Sequence, residues 1–398
     1  MKIVFLTNCY NHHQAPLAEA LWNKTNGDFC FIETQQMTQE RKNMGWGEKN
    51  YPSYVVPYDC YKSKKHEIQK VINNADVVIM GSAPDELLLE RLSHRKLTFR
   101  YSERMFKTEC PQWQIPLRIV KNYYRFGRHK SEYLLCSSAY TAGDFERVKT
   151  FKGKCYKWGY FPEVKRYDVA ELMKKKLSVT SAGLKHPQAS ILWAGRLIGL
   201  KHPDASIRVA ASLKEKGYSF RMSIIGDGEM KEQLQKMIID NDLSSRVEML
   251  GSMSPKEVRE HMEKADIYLF TSDFNEGWGA VLNEAMNSGC AVVASHAIGS
   301  VPFLIRDGEN GLIYQNGSQK HLEKQVKLLL ADSAYRKKLG ENAYRTITEL
   351  WSADVAAKRF VELSEYMLNG EKNVSIFENG PCSKAEILKN NWFQGDVK

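Results

Sequence analysis

A chain of 398 residues with 43% hydrophobic content exceeds what one ordinary core holds, so two domains are expected. The opening apolar run Ile3 to Leu6 is only a strand's length, no later run could span a bilayer, and the eight cysteines form no C-x-x-C pair. An exported, membrane-spanning, zinc-bound or disulfide-framed protein is therefore disfavoured, and a cytoplasmic one is expected. The net charge of +10 lies wholly in the first half, where residues 1–186 carry 31 Lys+Arg against 19 Asp+Glu and residues 187–398 carry 26 against 28. An acidic partner of that half, such as an anionic membrane or a phosphate-bearing acceptor, fits this bias, and so does a merely basic soluble surface. No nucleic-acid-binding motif is present.

Lys2 to Thr7 is a β-branched run followed by polar residues, and a helix is predicted from Pro16 to Trp22. Strands are predicted at Asp76 to Met80, Leu97 to Tyr101 and Tyr133 to Ser137, with a helix over Ala83 to Leu92. The pattern weakens between Lys165 and His186 into a lysine-rich stretch, which places the domain boundary near residue 187. Beyond it strands and helices alternate again. The expected strands are Ser190 to Ala194, Phe220 to Ile225, Val247 to Leu250, Ile267 to Phe270 and Ala291 to Ala294. The expected helices are Ser206 to Lys216, Met230 to Asp240, Pro255 to Ala265 and Ala280 to Ser288. This is α/β patterning of two Rossmann-like doubly wound domains. The expected division is 1–186, 187–350, and a C-terminal helix and tail, 351–398, that packs back on the first domain. Gln319 to Leu368 has helical spacing, and the last thirty residues are polar apart from Trp392-Phe393.

The most informative stretch is Ser272 to Ala294, where a strand runs through a glycine-punctuated loop into a helix and then another strand. Gly277 and Gly279 let backbone approach a ligand, and the helix start at Gly279, Ala280 and Val281 presents free N–H groups suited to a diphosphate. Glu276 before the helix and Glu284 inside it can flank that start at different depths. Two glutamates eight apart are weak evidence alone, since most are solvated; the intervening Gly-Trp-Gly with Trp278 strengthens it. Arg196 and Lys201 follow another strand, and two cations at a strand's carboxyl end suit a pyrophosphate whose charge grows as its bond to a sugar breaks. Either one alone would read as an exposed basic residue. The Gly226 to Glu229 turn is common turn chemistry. His12 and His13 occupy the loop after the first strand, as surface or capping residues or as acceptor contacts. That loop lacks G-x-G-x-x-G, which disfavours a dehydrogenase.

Glu276 to Glu284 as E-x7-E, Gly195-Arg196 with Lys201, and Gly226 to Glu229 together resemble the retaining family 4 glycosyltransferases (glycosyl transferases group 1), including those of bacterial surface polysaccharides. The first half is similar more loosely, through Leu135 to Phe145 and Lys157 to Phe161. The resemblance implies a GT-B architecture with two domains facing across a cleft. It implies that Arg196 and Lys201 hold a donor diphosphate, Glu284 its ribose and Glu276 the sugar hydroxyls, with a nucleotide diphosphate sugar as co-substrate and no metal or other cofactor. Many members carry a histidine after the fourth N-domain strand, where this chain has Arg100 to Arg104, so that role falls on Glu103 or disappears. Alanine at 291 replaces a common proline.

Residues 104–130 combine many cations with Trp113, Tyr123, Tyr124 and Phe126, and Glu109 is their only acid. A helix over Leu117 to Lys130 would put Arg118, Lys121, Arg125 and Arg128 on one face and Ile119, Tyr123 and Phe126 on the other. Such a helix suits either peripheral contact with an anionic membrane or a soluble domain with a solvated charged face. The expected function is transfer of a sugar to a glycan or lipid-linked acceptor with retention. A non-catalytic sugar-nucleotide-binding subunit and a sugar-nucleotide epimerase are the alternatives.

Overall fold

The computed structural model describes residues 1–38, 51–107, 111–181, 188–371 and 375–395. The chain forms two units, Met1–Glu163 with Leu350–Lys389, and Val164–Glu349 with Asn390–Lys398.

The first unit is built on β1 (Ile3–Thr7), β2 (Phe29–Glu33), β3 (Val55–Val56), β4 (Val77–Met80), β5 (Thr98–Ser102), β6 (Glu132–Cys136) and β7 (Cys155–Lys157). They lie in the order β3-β2-β1-β4-β5-β6-β7, every pairing parallel. Runs such as IVFLT and VVIM are buried along their whole length, as a parallel sheet covered on both faces requires. Strand order reverses between β1 and β4, so the loops after these strands splay apart and leave a crevice at the sheet's carboxyl edge. The helix Ala353–Leu368, capped by the Ser352 side chain, packs on Ala15–Lys24. Its Phe360 lies edge-on to Phe99 and Trp158, with ring centroids 4.9 and 5.7 Å away. The following tail then borders β7: Lys157 donates its N–H to Ser383 and accepts from Cys382.

The second unit has β8 (Ala189–Ala194), β9 (Phe220–Ile225), β10 (Val247–Gly251), β11 (Ile267–Phe270), β12 (Ala291–Ser295) and β13 (Leu312–Tyr314). The order is β10-β9-β8-β11-β12-β13, again parallel throughout. Here the reversal falls between β8 and β11. Its core joins Ile191, Trp193, Ile224, Ile267, Leu269 and Val293 from the sheet to Ile207, Leu234 and Val326 from the helices.

Several sequence expectations change. The boundary foreseen near 187, a residue outside those described, falls at Glu163/Val164. The lysine-rich stretch contains the helix Val169–Ser181, which packs on the helices Pro255–Lys264 and Ser333–Arg345 of the second unit. Its apolar pattern is hard to see because its buried face includes Lys176, whose Nζ donates to the carbonyls of Met262 and Ala265. Residues 83–92 form a 3-10 turn, Asp85–Leu88, and a short helix, Leu89–Ser93. The helix expected over Leu117 to Lys130 is Ile115–Asn122 followed by a π turn, Tyr123–Gly127. Tyr123, placed on its buried face by periodicity, is 54% exposed, because the wider turn rotates residues beyond Asn122 out of α-helical phase. Glu109 lies outside the described residues.

Removing a fully buried ring contacted by two others leaves a cavity, so Phe360→Ala is expected to destabilise the first unit by about 3–5 kcal/mol. A denaturant midpoint unchanged from the parent protein would show that the C-terminal helix is not integral to that core.

Candidate functional site

β8 and β11 are neighbouring parallel strands at the reversal, so the loops that follow them leave the same edge of the sheet, and these loops carry Arg196 and Lys201 on one hand and Glu276 on the other. Lys201 Nζ forms an ion pair with Glu276 Oε2, the two side chains being 15% and 12% exposed. The Ser272 hydroxyl donates to the same oxygen at 3.0 Å. Lys201 Nζ also stands 5.8 Å above the Phe270 ring, at the end of β11. The loops are joined beneath by the Thr271 hydroxyl, which donates to the Lys201 carbonyl at 2.6 Å and accepts from Trp193 Nε1 at 2.9 Å. His202 and Asp273 meet at 3.2 Å.

Gly279 has φ +78°, and a Cβ there would come within 2.4 Å of the Phe270 ring, so only glycine lets the loop turn across that ring. Trp278 is fully buried, its Nε1 donating to Asn283 Oδ1 at 2.8 Å; its side chain fastens the loop to the core, with Gly277 buried beside it and Gly279, Ala280 and Val281 partly exposed. The helix that follows, Val281–Asn287, spans seven residues, so the cations Arg196 and Lys201 are the main source of positive charge.

Arg196 is exposed and makes no ion pair among the described residues. Its loop is positioned by the Gly-Asp-Gly turn after β9: Leu197 N–H donates to Asp227 O at 2.9 Å, and Met230 N–H to Leu197 O at 3.0 Å. The approach is so close that a Cβ on Gly226, at φ +144°, would lie 1.8 Å from the Gly195 carbonyl oxygen. What reads in the sequence as ordinary turn chemistry is thus the support of the arginine loop.

Glu284 sits in the first turns of the helix Val281–Asn287 and keeps partial solvent contact as a residue. Burial around its carboxyl raises the pKa, an effect that Arg259 opposes in part. Glu284 and Glu276 both disfavour ionisation of the buried Tyr268 phenol, which donates to the Ala194 carbonyl at 3.0 Å. The two glutamates therefore share a neighbourhood around β11 while only Glu276 touches a predicted cation. Sequence reading missed Ser272, Phe270, Thr271 and Trp193. Their sole signal is adjacency to the strand ends.

In the first unit, Tyr160 connects two residues singled out by sequence. Its hydroxyl donates to Glu103 Oε1 at 2.9 Å, and its ring stacks on His13 at 6.3 Å. His12 and His13 are 3.9 Å apart, centroid to centroid. Burial lowers the pKa of both, that of His13 to about 3 with His12 contributing, so this pair is neutral near pH 7. Glu103 is also paired with Lys107 at 2.6 Å.

The end of the tail, which gives no periodic signal, packs in the second unit: Trp392 and Phe393 lie 6.3 and 6.0 Å from His296, just past β12. Among the described residues no helix is long and apolar enough to cross a membrane.

Residues 175–346 match the family model of glycosyl transferases group 1. A lipopolysaccharide core biosynthesis glycosyltransferase of Rhizobium meliloti is 28% identical over 140 residues, covering 35% of this chain and 40% of that protein. An amylovoran biosynthesis glycosyltransferase of Erwinia amylovora is 30% identical over 165 residues, covering 37% and 40%. The chain thus matches well under half the length of these relatives. The solved structure of Anabaena HepE in complex with UDP is 16% identical with a TM-score of 0.66, covering 91% of this chain and 99% of that one. Two parallel sheets with flanking helices are the fold shared with such GT-B structures.

Because its pKa is raised in the folded state, Glu284 contributes stability that is full below the ordinary value of 4.5 and is lost as pH rises through the folded value. Glu284→Gln abolishes this loss. The variant's urea midpoint is expected to gain on that of the parent from pH 5 towards neutrality; a pH-independent difference would contradict the burial argument.

Proposed function

We propose, from a chain whose residues 175–346 match glycosyl transferases group 1, that this protein moves a sugar from a nucleoside diphosphate sugar to a glycan or lipid-linked acceptor. Transfer proceeds with retention of anomeric configuration and without a metal, in polysaccharide-type biosynthesis on the cytoplasmic side of a membrane. The observation that carries the reading is the Lys201–Glu276 pair at the reversal of the second sheet, where doubly wound folds take ligands.

The Glu276 carboxylate neutralises Lys201 and holds it in place. A donor diphosphate replaces Glu276 as partner of Lys201 and draws in exposed Arg196. Their attraction grows as the bond from the anomeric carbon to phosphate oxygen breaks and charge builds on the diphosphate, so the cations stabilise the transition state more than the bound donor. Freed from Lys201, Glu276 accepts hydrogen bonds from sugar hydroxyls, and Ser272 keeps its carboxylate oriented. Glu284, deeper by the helix, accepts from the ribose hydroxyls; binding supplies donors to a carboxylate that burial leaves costly to charge. The first unit receives the acceptor, with Glu103, Tyr160 and the neutral His12–His13 pair as its cluster of polar groups for that role.

The reading is tested by incubating the protein with UDP-, GDP- and ADP-sugars and a lipid extract as acceptor, with and without chelator, and following nucleoside diphosphate release and the anomeric configuration of the product. One donor should be consumed with chelator present. Glu276→Ala and Lys201→Ala should each lower kcat by about 10²–10³-fold while the circular dichroism spectrum stays native. Full activity in either variant removes the site assignment; consumption of every donor at background rate, with nucleotide still bound, leaves a binding subunit instead.

A further inference from the structure

The segment expected to show a basic face to water shows an apolar one. Trp113, Leu117, Val120 and Tyr124 are 71, 69, 57 and 61% exposed; Leu117 and Val120, three apart, share one face of the helix Ile115–Asn122, and Trp113 and Tyr124 extend this exposed apolar row from the 3-10 and π turns at its two ends. Tyr123 adds a fifth exposed ring. The opposite face is already anchored. Ile115 and Ile119 pack against the cluster of Phe106, Phe126, Phe145 and Phe151, and Arg118 lies over Phe106 at 5.2 Å. Arg125, ion-paired with Asp85, and Arg100, bound to both Asp85 and buried Glu132, tie the π turn to the sheet. This element is thus apolar on two sides, and core packing accounts for only one.

Charge identifies what covers the other side. Residues 111–131 hold Arg118, Lys121, Arg125, Arg128 and Lys130 and no carboxylate, and Lys121, Arg125, Arg128 and Lys130 are exposed beside the apolar row. A second copy would bring one such set of cations against another, on a half of the chain that already has an excess of positive charge. An anionic bilayer satisfies both features: Trp and Tyr settle at headgroup level, Leu and Val reach the acyl boundary, and the cations meet lipid phosphates. We propose that the Trp113–Leu117–Val120–Tyr124 row inserts shallowly into an anionic membrane surface, with Lys121, Arg128 and Lys130 on its headgroups. This specifies the membrane side of the proposed acceptor reaction and rests on that reading only for its purpose, since the surface is independent of the donor site.

The full chain is floated with vesicles of phosphatidylcholine containing phosphatidylglycerol or of phosphatidylcholine alone, and Trp fluorescence is recorded. Binding at least tenfold stronger to the anionic vesicles is expected, weakening with salt, with a blue shift on binding. A triple variant, Trp113→Ser with Leu117→Ser and Val120→Ser, is expected to lose binding at least tenfold and to keep the parent's thermal midpoint and nucleoside diphosphate affinity. Lys121→Glu with Arg128→Glu should lose the preference for anionic lipid. Absent vesicle binding, or binding that the triple variant retains, overturns the inference, as does a dimer seen by light scattering that the triple variant abolishes. Nucleotide affinity measured alongside separates the two readings: protein that binds nucleotide but not vesicles loses only the membrane inference, and the converse result removes only the donor site.

Discussion

Lys201 and Glu276 are nearly withdrawn from water, and the second unit's site depends on their being withdrawn together. Either charge alone at that depth would lack compensation, at a cost of about 3–5 kcal/mol when one partner of a buried pair is removed. Their meeting follows from β8 and β11 being neighbours in the sheet, with the loops leaving both strands tied to each other by Thr271 to Lys201 and by Asp273 N–H to the Leu200 carbonyl. Ser272 takes part in the same carboxylate, Thr271 and Trp193 fix the lysine loop from below, and Gly279 permits the turn over Phe270. The pair is accordingly held by one hydrogen bond to its carboxylate and by loop contacts that leave the lysine charge untouched.

This arrangement has a catalytic logic under the proposed reaction. A site with fixed, already desolvated cations requires little reorganisation when charge develops on a leaving group. Glu276 serves as a stand-in for the anion, so that a donor exchanges one carboxylate contact for several diphosphate contacts. Arg196 differs in kind. It is exposed, and what is rigid is its backbone, clamped by Gly226 and Gly228 against Gly195 and Leu197. One cation is held in an ion pair, and the other is an exposed side chain on a fixed backbone.

Much of this was legible in the sequence because the residues concerned follow strands with strong apolar runs. The fold class and the strands of the second sheet up to β12 are readable from alternation of buried runs with helical spacing, and Arg196, Lys201, Glu276 and Glu284 from their places at strand and helix ends. What was not legible depends on the third dimension. Nothing in spacing shows that Lys201 touches Glu276, that Trp278 turns inward to Asn283, or that Tyr160 bridges Glu103 to His13. Short or irregular elements also escaped. β3 has two residues, β13 has three, and the helix Val169–Ser181 hides its buried side behind Lys176.

The basic segment illustrates why amphipathicity read from spacing can point the wrong way. Helical periodicity sorts side chains onto two faces but does not say which is covered, and residues 112–127 carry apolar side chains on both. Phe126 and Ile119 win the core because the Asp85, Arg100, Arg125 and Glu132 charges fix the register from the sheet side. Trp113, Leu117 and Val120 are then left in water by geometry, not by any weaker preference for burial. Fully burying a Leu or Val side chain is worth about 1.5–3 kcal/mol, so a row of such residues left exposed marks a surface with a second partner rather than a defect of packing. The cations around it complement a negatively charged partner, which is what the membrane inference rests on.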